Sequence, residues 1–162
     1  MYSRILLATD GSRGMASAMA HAIELAQIHN AELHVLYVVD VRSFAMLPSE
    51  TRTRVRSVLT EEGETATEAL KNIVPDNGIQ IVPVIVEGLP HEEILKYAEE
   101  NEIDLIVMGT HGQSGEEKRV VGSVAEEVVR KSQIPILIIR MQQVDLETVQ
   151  DAIPDEQQRY IA

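Results

Sequence analysis

Five short apolar runs, separated by stretches with helical spacing, constrain this chain more than any other feature. Ser3 to Thr9, Glu32 to Val39, Ile79 to Val86, Ile103 to Met108 and Pro135 to Arg140 have the length and composition of strands. Met15 to His29 repeats apolar residues along one helix face (Met15, Ala18, Met19, Ala22, Ile23, Leu25, Ala26). Ser49 or Thr51 opens a second helix, with Val55, Val58, Leu59, Ala66, Ala69, Leu70 and Ile73 on its buried stripe. Pro90 to Glu100 is a third, with proline at the favoured first turn, and Val120 to Lys131 a fourth. The order βαβαβαβαβ is that of an α/β fold: a parallel sheet, helices on both faces, right-handed crossovers. Pattern alone leaves the strand order open.

Composition agrees with such a sheet. Four Tyr, one Phe and no Trp in 162 residues leave the core to Ile, Leu, Val, Met and Ala, as suits strands covered on both sides. The length favours one domain. Gly63 inside the second helix costs about 1 kcal/mol against alanine, so the continuity of that helix is open. Asp40 to Pro48 reads as a loop, and Pro75-Asp76-Asn77-Gly78 as a turn. Pro83 suits an edge strand, where a missing N–H does no harm. Residues 141–162 form an acidic, Gln-rich C-terminal tail with Val144, Leu146, Val149 and Ile153 as its apolar candidates, apart from the domain spanning 1–140.

A net charge of −12 argues against nucleic acid, which needs a basic footprint. The absence of cysteine excludes disulfides and cysteine metal sites and fits a reducing compartment. No apolar stretch approaches the length of a membrane span, and the strand-like start at Met1-Tyr2-Ser3-Arg4-Ile5 leaves no room for a signal peptide. A cytoplasmic protein without membrane insertion is the expectation.

The chemistry gathers at Gly109-Thr110-His111-Gly112, followed after nine residues by Gly122-Ser123. This segment joins a strand to a helix. Glycines there let backbone N–H groups approach a ligand. The helix start that follows offers unpaired donors and the positive end of its dipole. Together they read as a phosphate cradle of the helix N-terminus type. Other signatures are missing: no Gly-x4-Gly-Lys-Ser/Thr loop, no Gly-x-Gly-x-x-Gly after the first strand, no His-Glu-x-x-His. The carboxylate pairs Glu61-Glu62, Glu92-Glu93, Glu99-Glu100 and Glu126-Glu127 read as solvated helix surface.

Gly109-x2-Gly112-x9-Gly122-Ser123 after a strand ending Ile-Val-Met resembles the nucleotide-binding motif of the universal stress protein family. Ile5-Leu6-Leu7-Ala8-Thr9-Asp10-Gly11-Ser12 resembles that family's first strand and turn. Gly122 to Val129 and Ile134-Pro135-Ile136-Leu137-Ile138-Ile139 are similar to it as well. The likeness spans residues 2–140 and points to the ATP-binding type. It implies a Rossmann-like, adenine nucleotide alpha hydrolase-like sheet in the order 3-2-1-4-5, with strands 1 and 4 flanking the switch point where such sheets bind ligands.

By the same resemblance, Asp10 would help hold the nucleotide through its ribose or a metal-bound phosphate, with Ala8 and Thr9 also among the residues that bind it. Val38 or Val39 would meet the adenine. Met108, Gly109, His111 and Gly112 would pass beside ribose and phosphates, and Gly122, Ser123 and Val124 would donate to phosphate. The cofactor implied is ATP with Mg²⁺. Alternatives to ligand binding stand beside these roles: Asp10 or Ser123 as helix caps, Val38 and Val39 as plain core, His111 as a loop-ordering group. Glu116 and Glu117 would each repel a triphosphate by up to about 1 kcal/mol at a screened surface, and Lys118 and Arg119 could offset this.

The function implied is a stress-response regulator that binds an adenine nucleotide, with slow hydrolysis at most and no catalytic residue assigned. A dimeric interaction protein of the same fold without nucleotide is the alternative. A true phosphohydrolase or nucleotidyl transferase would need a base and metal cluster beyond Asp10 and His111. The family pairs protomers along strand 5, so a homodimer through the edge Ile136, Leu137, Ile138 and Ile139 is expected, since an apolar edge is a hazard unless covered.

Overall fold

The computed structural model describes residues 1–73 (side chains through 71), 78–110 and 121–140. Its strands are Arg4–Thr9 (β1), Glu32–Asp40 (β2), Ile81–Gly88 (β3), Leu105–Gly109 (β4) and Ile136–Ile139 (β5). Its helices are Ala16–His29 (α1), Ser49–Ile73 (α2), Pro90–Glu100 (α3) and Ser123–Lys131 (α4). The strands pair in parallel, in the order β3-β2-β1-β4-β5.

Alternation along each strand divides the core in two. On β1, Ile5 and Leu7 pack with Ala18, Ala22 and Ala26 of α1, while Leu6 and Ala8 pack with Ile94 and Ala98 of α3 and Ala125 and Val128 of α4. The three α1 alanines are fully buried at four-residue spacing, so a narrow stripe of small side chains seats that helix close to the sheet. The all-aliphatic runs of β1 and β4 follow from this double cover.

Pro83 lies opposite Val35 on β3, which is an edge strand as its proline suggested. α2 runs unbroken through Gly63. A Cβ there would stand 2.7 Å from Cδ1 of Tyr37, so this glycine makes room for an aromatic ring. Farther toward its start, Val55 and Leu59 cover Val39 and Phe44. Within the expected loop after β2, Val41–Ser43 forms a short 3-10 turn, capped by the Asp40 carboxylate, which accepts from the Arg42 N–H at 3.0 Å. α4 begins at Ser123 because Gly122 is its extended N-cap (φ −70°, ψ 160°). Of the expected turn, Gly78 has φ +77°, while Pro75, Asp76 and Asn77 lie outside the described residues. The tail from 141, with Val144, Leu146, Val149 and Ile153, also lies outside them.

At the N-terminal end of the sheet, side chains tie the chain to itself. Asp104 accepts from the backbone N–H groups of Ser3 (2.6 Å) and Arg4 (2.9 Å). These bonds, Arg4 first, hold its carboxyl below the usual range. The Arg4 guanidinium donates to Glu102 at 2.9 Å and to the Asn101 carbonyl at 3.2 Å. His34 is buried in β2 with Nδ1 2.7 Å from the Tyr97 hydroxyl. Burial lowers its pKa against the opposing pull of Glu32, so it is held neutral near pH 7.

Candidate functional site

β1 leads into α1 on one face of the sheet and β4 into α4 on the other, so the chain diverges beyond their carboxyl ends. That is the position at which open α/β sheets hold ligands. A cavity of about 330 Å³ opens there, within the range of small-molecule sites.

One wall is the end of β1. Ala8, Thr9 and Asp10 all line the cavity. Asp10 Oδ1 accepts from the Ser12 N–H at 3.0 Å, a local turn bond that coexists with a place on the wall. Gly11 (φ +74°) takes the left-handed conformation this sharp exit requires.

A second wall is apolar. Leu36 and Val38 come from β2, Pro90 and Ile94 from α3, Met108 from β4 and Ala125 from α4. Of the two valines singled out in the sequence, Val38 lines the cavity. Val39 points to the other face, 1% exposed, against Tyr37 and Phe44. One step along a strand reverses the side chain, so the residue types could not separate them.

The third wall carries the glycines. Gly109, Thr110, Gly122, Ser123 and Val124 line it. The Thr110 N–H donates to the Ile139 carbonyl at 2.9 Å, and the Gly122 N–H donates to the Thr110 carbonyl. The Gly122 amide, expected as a phosphate donor, is thus spent on closing the loop. The donors left by position are those of Ser123, Val124 and Ala125, the first three helical residues of α4, which have no acceptor within the helix. Ser123 is not the cap: Gly122 holds that place. Negative charge at this helix start is turned back on its own helix. Glu126 meets Arg130 at 2.9 Å, and Glu127 meets Arg130 and Lys131 at 3.0 Å each. The Lys131 hydrogen bond leads in lowering the Glu127 pKa. The dipole end of α4 remains suited to an anion.

Of the expected site residues, Ala8, Thr9, Asp10, Val38, Met108, Gly109, Gly122, Ser123 and Val124 therefore share one cavity. His111 and Gly112, with Glu116, Glu117, Lys118 and Arg119, lie outside the described residues. Sequence reasoning missed Leu36, Tyr37, Asp40, Pro90, Ile94 and Thr110 on the lining. The Asp40 carboxylate is engaged by the Arg42 guanidinium at 2.6 and 2.9 Å, and that bond leads in holding its pKa down. Burial, with Glu62 and Asp10 nearby, raises the Tyr37 phenol and keeps it protonated. Among the described residues no group of three or more His, Cys, Asp or Glu could hold a metal by itself, and no helix is long and apolar enough to cross a membrane.

The sequence model of the Universal stress protein family matches residues 1–140. Universal stress protein MJ0531 of Methanocaldococcus jannaschii is 40% identical over 141 residues, covering 86% of this chain and 83% of its own. MJ0577, from the same organism, has a solved structure that superposes with a TM-score of 0.79 at 34% identity, covering 88% of this chain and 99% of that one. A universal stress protein crystallised in complex with cAMP superposes with a TM-score of 0.67 at 25% identity, covering 87% of this chain and 99% of its own. The chain belongs to the Universal stress protein family.

Proposed function

We propose that this protein is a stress-response regulator that binds an adenine nucleotide, ATP with Mg²⁺, in the crevice between β1 and β4. The observation that carries the reading is the pairing of an apolar slot with the amide-rich start of α4 in one cavity. The slot of Leu36, Val38, Ile94 and Ala125 suits a purine. The N–H groups of Ser123 and Val124 suit its phosphates. The cAMP complex of a relative supports an adenine nucleotide in this fold.

Magnesium arrives largely coordinated by water and phosphate, so one carboxylate suffices to help hold it, and this reading gives that role to Asp10, which lines the cavity. The ionisable groups among the described lining residues are Asp10, Tyr37 and Asp40, the last taken by Arg42. The reading takes Asp10 as a ligand of the metal rather than a base, with slow hydrolysis at most. Nucleotide then acts by mass action, stabilising the form that holds it.

The same reading includes a cytoplasmic setting and a homodimer through β5, whose Ile136, Leu137, Ile138 and Ile139 are only half-buried at the sheet edge. Calorimetric titration with MgATP tests the binding: saturable one-to-one heat at micromolar to millimolar nucleotide is expected, and no heat at millimolar nucleotide contradicts it. Sedimentation tests the assembly: a dimer is expected, shifted to monomer by Ile138→Lys, and a monomer in the wild type contradicts pairing.

A further inference from the structure

The glycine in the middle of α2 needs a reason. Alanine at such a position ordinarily favours the helix, so glycine persists where a side chain would collide. A Cβ on Gly63 would stand 2.7, 3.0 and 3.2 Å from Cδ1, Cγ and Cε1 of Tyr37. The same ring reaches a second glycine: a Cβ on Gly11 would meet Tyr37 Cε2 at 3.7 Å and Ala66 Cβ of α2 at 3.3 Å. Tyr37 sits beside Thr9 in the sheet register, one residue before Asp10. It is 5% exposed and lines the crevice. Gly63 thus makes room for the ring, and the far edge of the ring lies within ordinary contact distance of the turn that carries the Asp10 carboxylate.

We propose that Tyr37 is a positioning residue: its ring, seated against Gly63 and the Gly11 turn, sets where Asp10 stands on the wall of the nucleotide crevice. The inference rests on the nucleotide reading for its consequence and on packing for its cause. A ring that only filled the core would affect folding and leave Asp10 where it is. A ring that sets the turn makes α2 part of the binding site although, among its described side chains, only Leu59 lines the crevice.

The test is a double-mutant cycle of Gly63→Ala and Tyr37→Val, read by MgATP calorimetry, thermal unfolding and ligand-free crystal structures of each variant. Gly63→Ala should displace the ring and the Asp10 turn and raise Kd about tenfold, as small misplacements in a site do. In the Tyr37→Val background the same substitution should change Kd less than about twofold, because the pair acts as one unit. Wild-type-like Kd and an unmoved Asp10 in Gly63→Ala, or additive effects in the cycle, would overturn the proposal. If wild type binds no nucleotide, the functional reading fails separately, and the ligand-free structures still decide whether the ring sets the turn. If Gly63→Ala does not fold, Tyr37→Val alone decides: a shifted Asp10 turn supports the role, and an unmoved one ends it.

Discussion

The two ends of this sheet use opposite devices. At the N-terminal end, side chains reach back to the chain: Asp104 takes the N–H groups of Ser3 and Arg4, Arg4 takes Glu102 and the Asn101 carbonyl, and His34 takes Tyr97. At the C-terminal end, beside the side-chain bonds of Asp10 and Asp40, glycine stands at the exits of β1 and β4. Gly11 turns with φ +74°, Gly109 closes β4, and Gly122 caps α4 in extended conformation. The first end ties its polar groups to one another and to the chain. The second leaves the first amides of α4 on the wall of a cavity. A helix start with no internal acceptors is tolerable at a surface, and it becomes a site when an apolar slot lies beside it.

The sharpest way to break this contrast is to put side chain where the open end has none. Gly122→Val should weaken MgATP binding roughly 100-fold, about 2.7 kcal/mol, by calorimetry. Unfolding in denaturant should shift by no more than about 1 kcal/mol, the scale of a helix cap. Retained affinity would show that the glycine wall is not where the ligand sits.

The reverse substitution belongs at the closed end. Asp104→Ala leaves two backbone N–H groups without their acceptor and should destabilise the fold by about 1–2 kcal/mol with Kd for nucleotide unchanged. Tyr97→Phe removes the hydroxyl facing His34 Nδ1 and should cost about 1 kcal/mol, again without effect on binding.

A smaller effect is expected from pH. The folded state lowers the pKa of His34 below its ordinary 6.5, so the unfolded chain binds the proton more readily. Stability from this group is therefore complete above pH 6.5 and is lost as pH falls through that value toward the lower folded pKa. The midpoint of urea unfolding should decline between pH 7 and 5, with a shallower slope in His34→Gln. Asp104, also lowered, contributes fully above its ordinary 3.8 and loses that stability only at more acid pH, as its carboxylate protonates. A slope unchanged by His34→Gln would remove His34 from the account.

How much of this was legible follows from the range of each signal. The sheet and its helices were readable because burial imposes a local period, and Pro83 marked its edge because a missing N–H is a local fact. The glycine wall was readable for the same reason. The choice between Val38 and Val39 was not, because adjacent strand residues of one type differ only in the face they point to. Pro90 and Ile94 reached the slot through the packing of α3, which no spacing reports. Gly63 was visible only as a local penalty, and its meaning appears with Tyr37, a partner on another element. His34 and Tyr97, 63 residues apart, carry no shared pattern at all.

The central claim is that the main-chain amides at the start of α4 grip the phosphates of an adenine nucleotide whose base lies against Leu36 and Val38. A crystal structure of the protein soaked with millimolar MgATP addresses it most directly. The account predicts phosphate oxygens within about 3 Å of the Ser123 and Val124 nitrogens, with the purine in the apolar slot. A crevice holding only solvent at that concentration, or a nucleotide bound elsewhere, would contradict it.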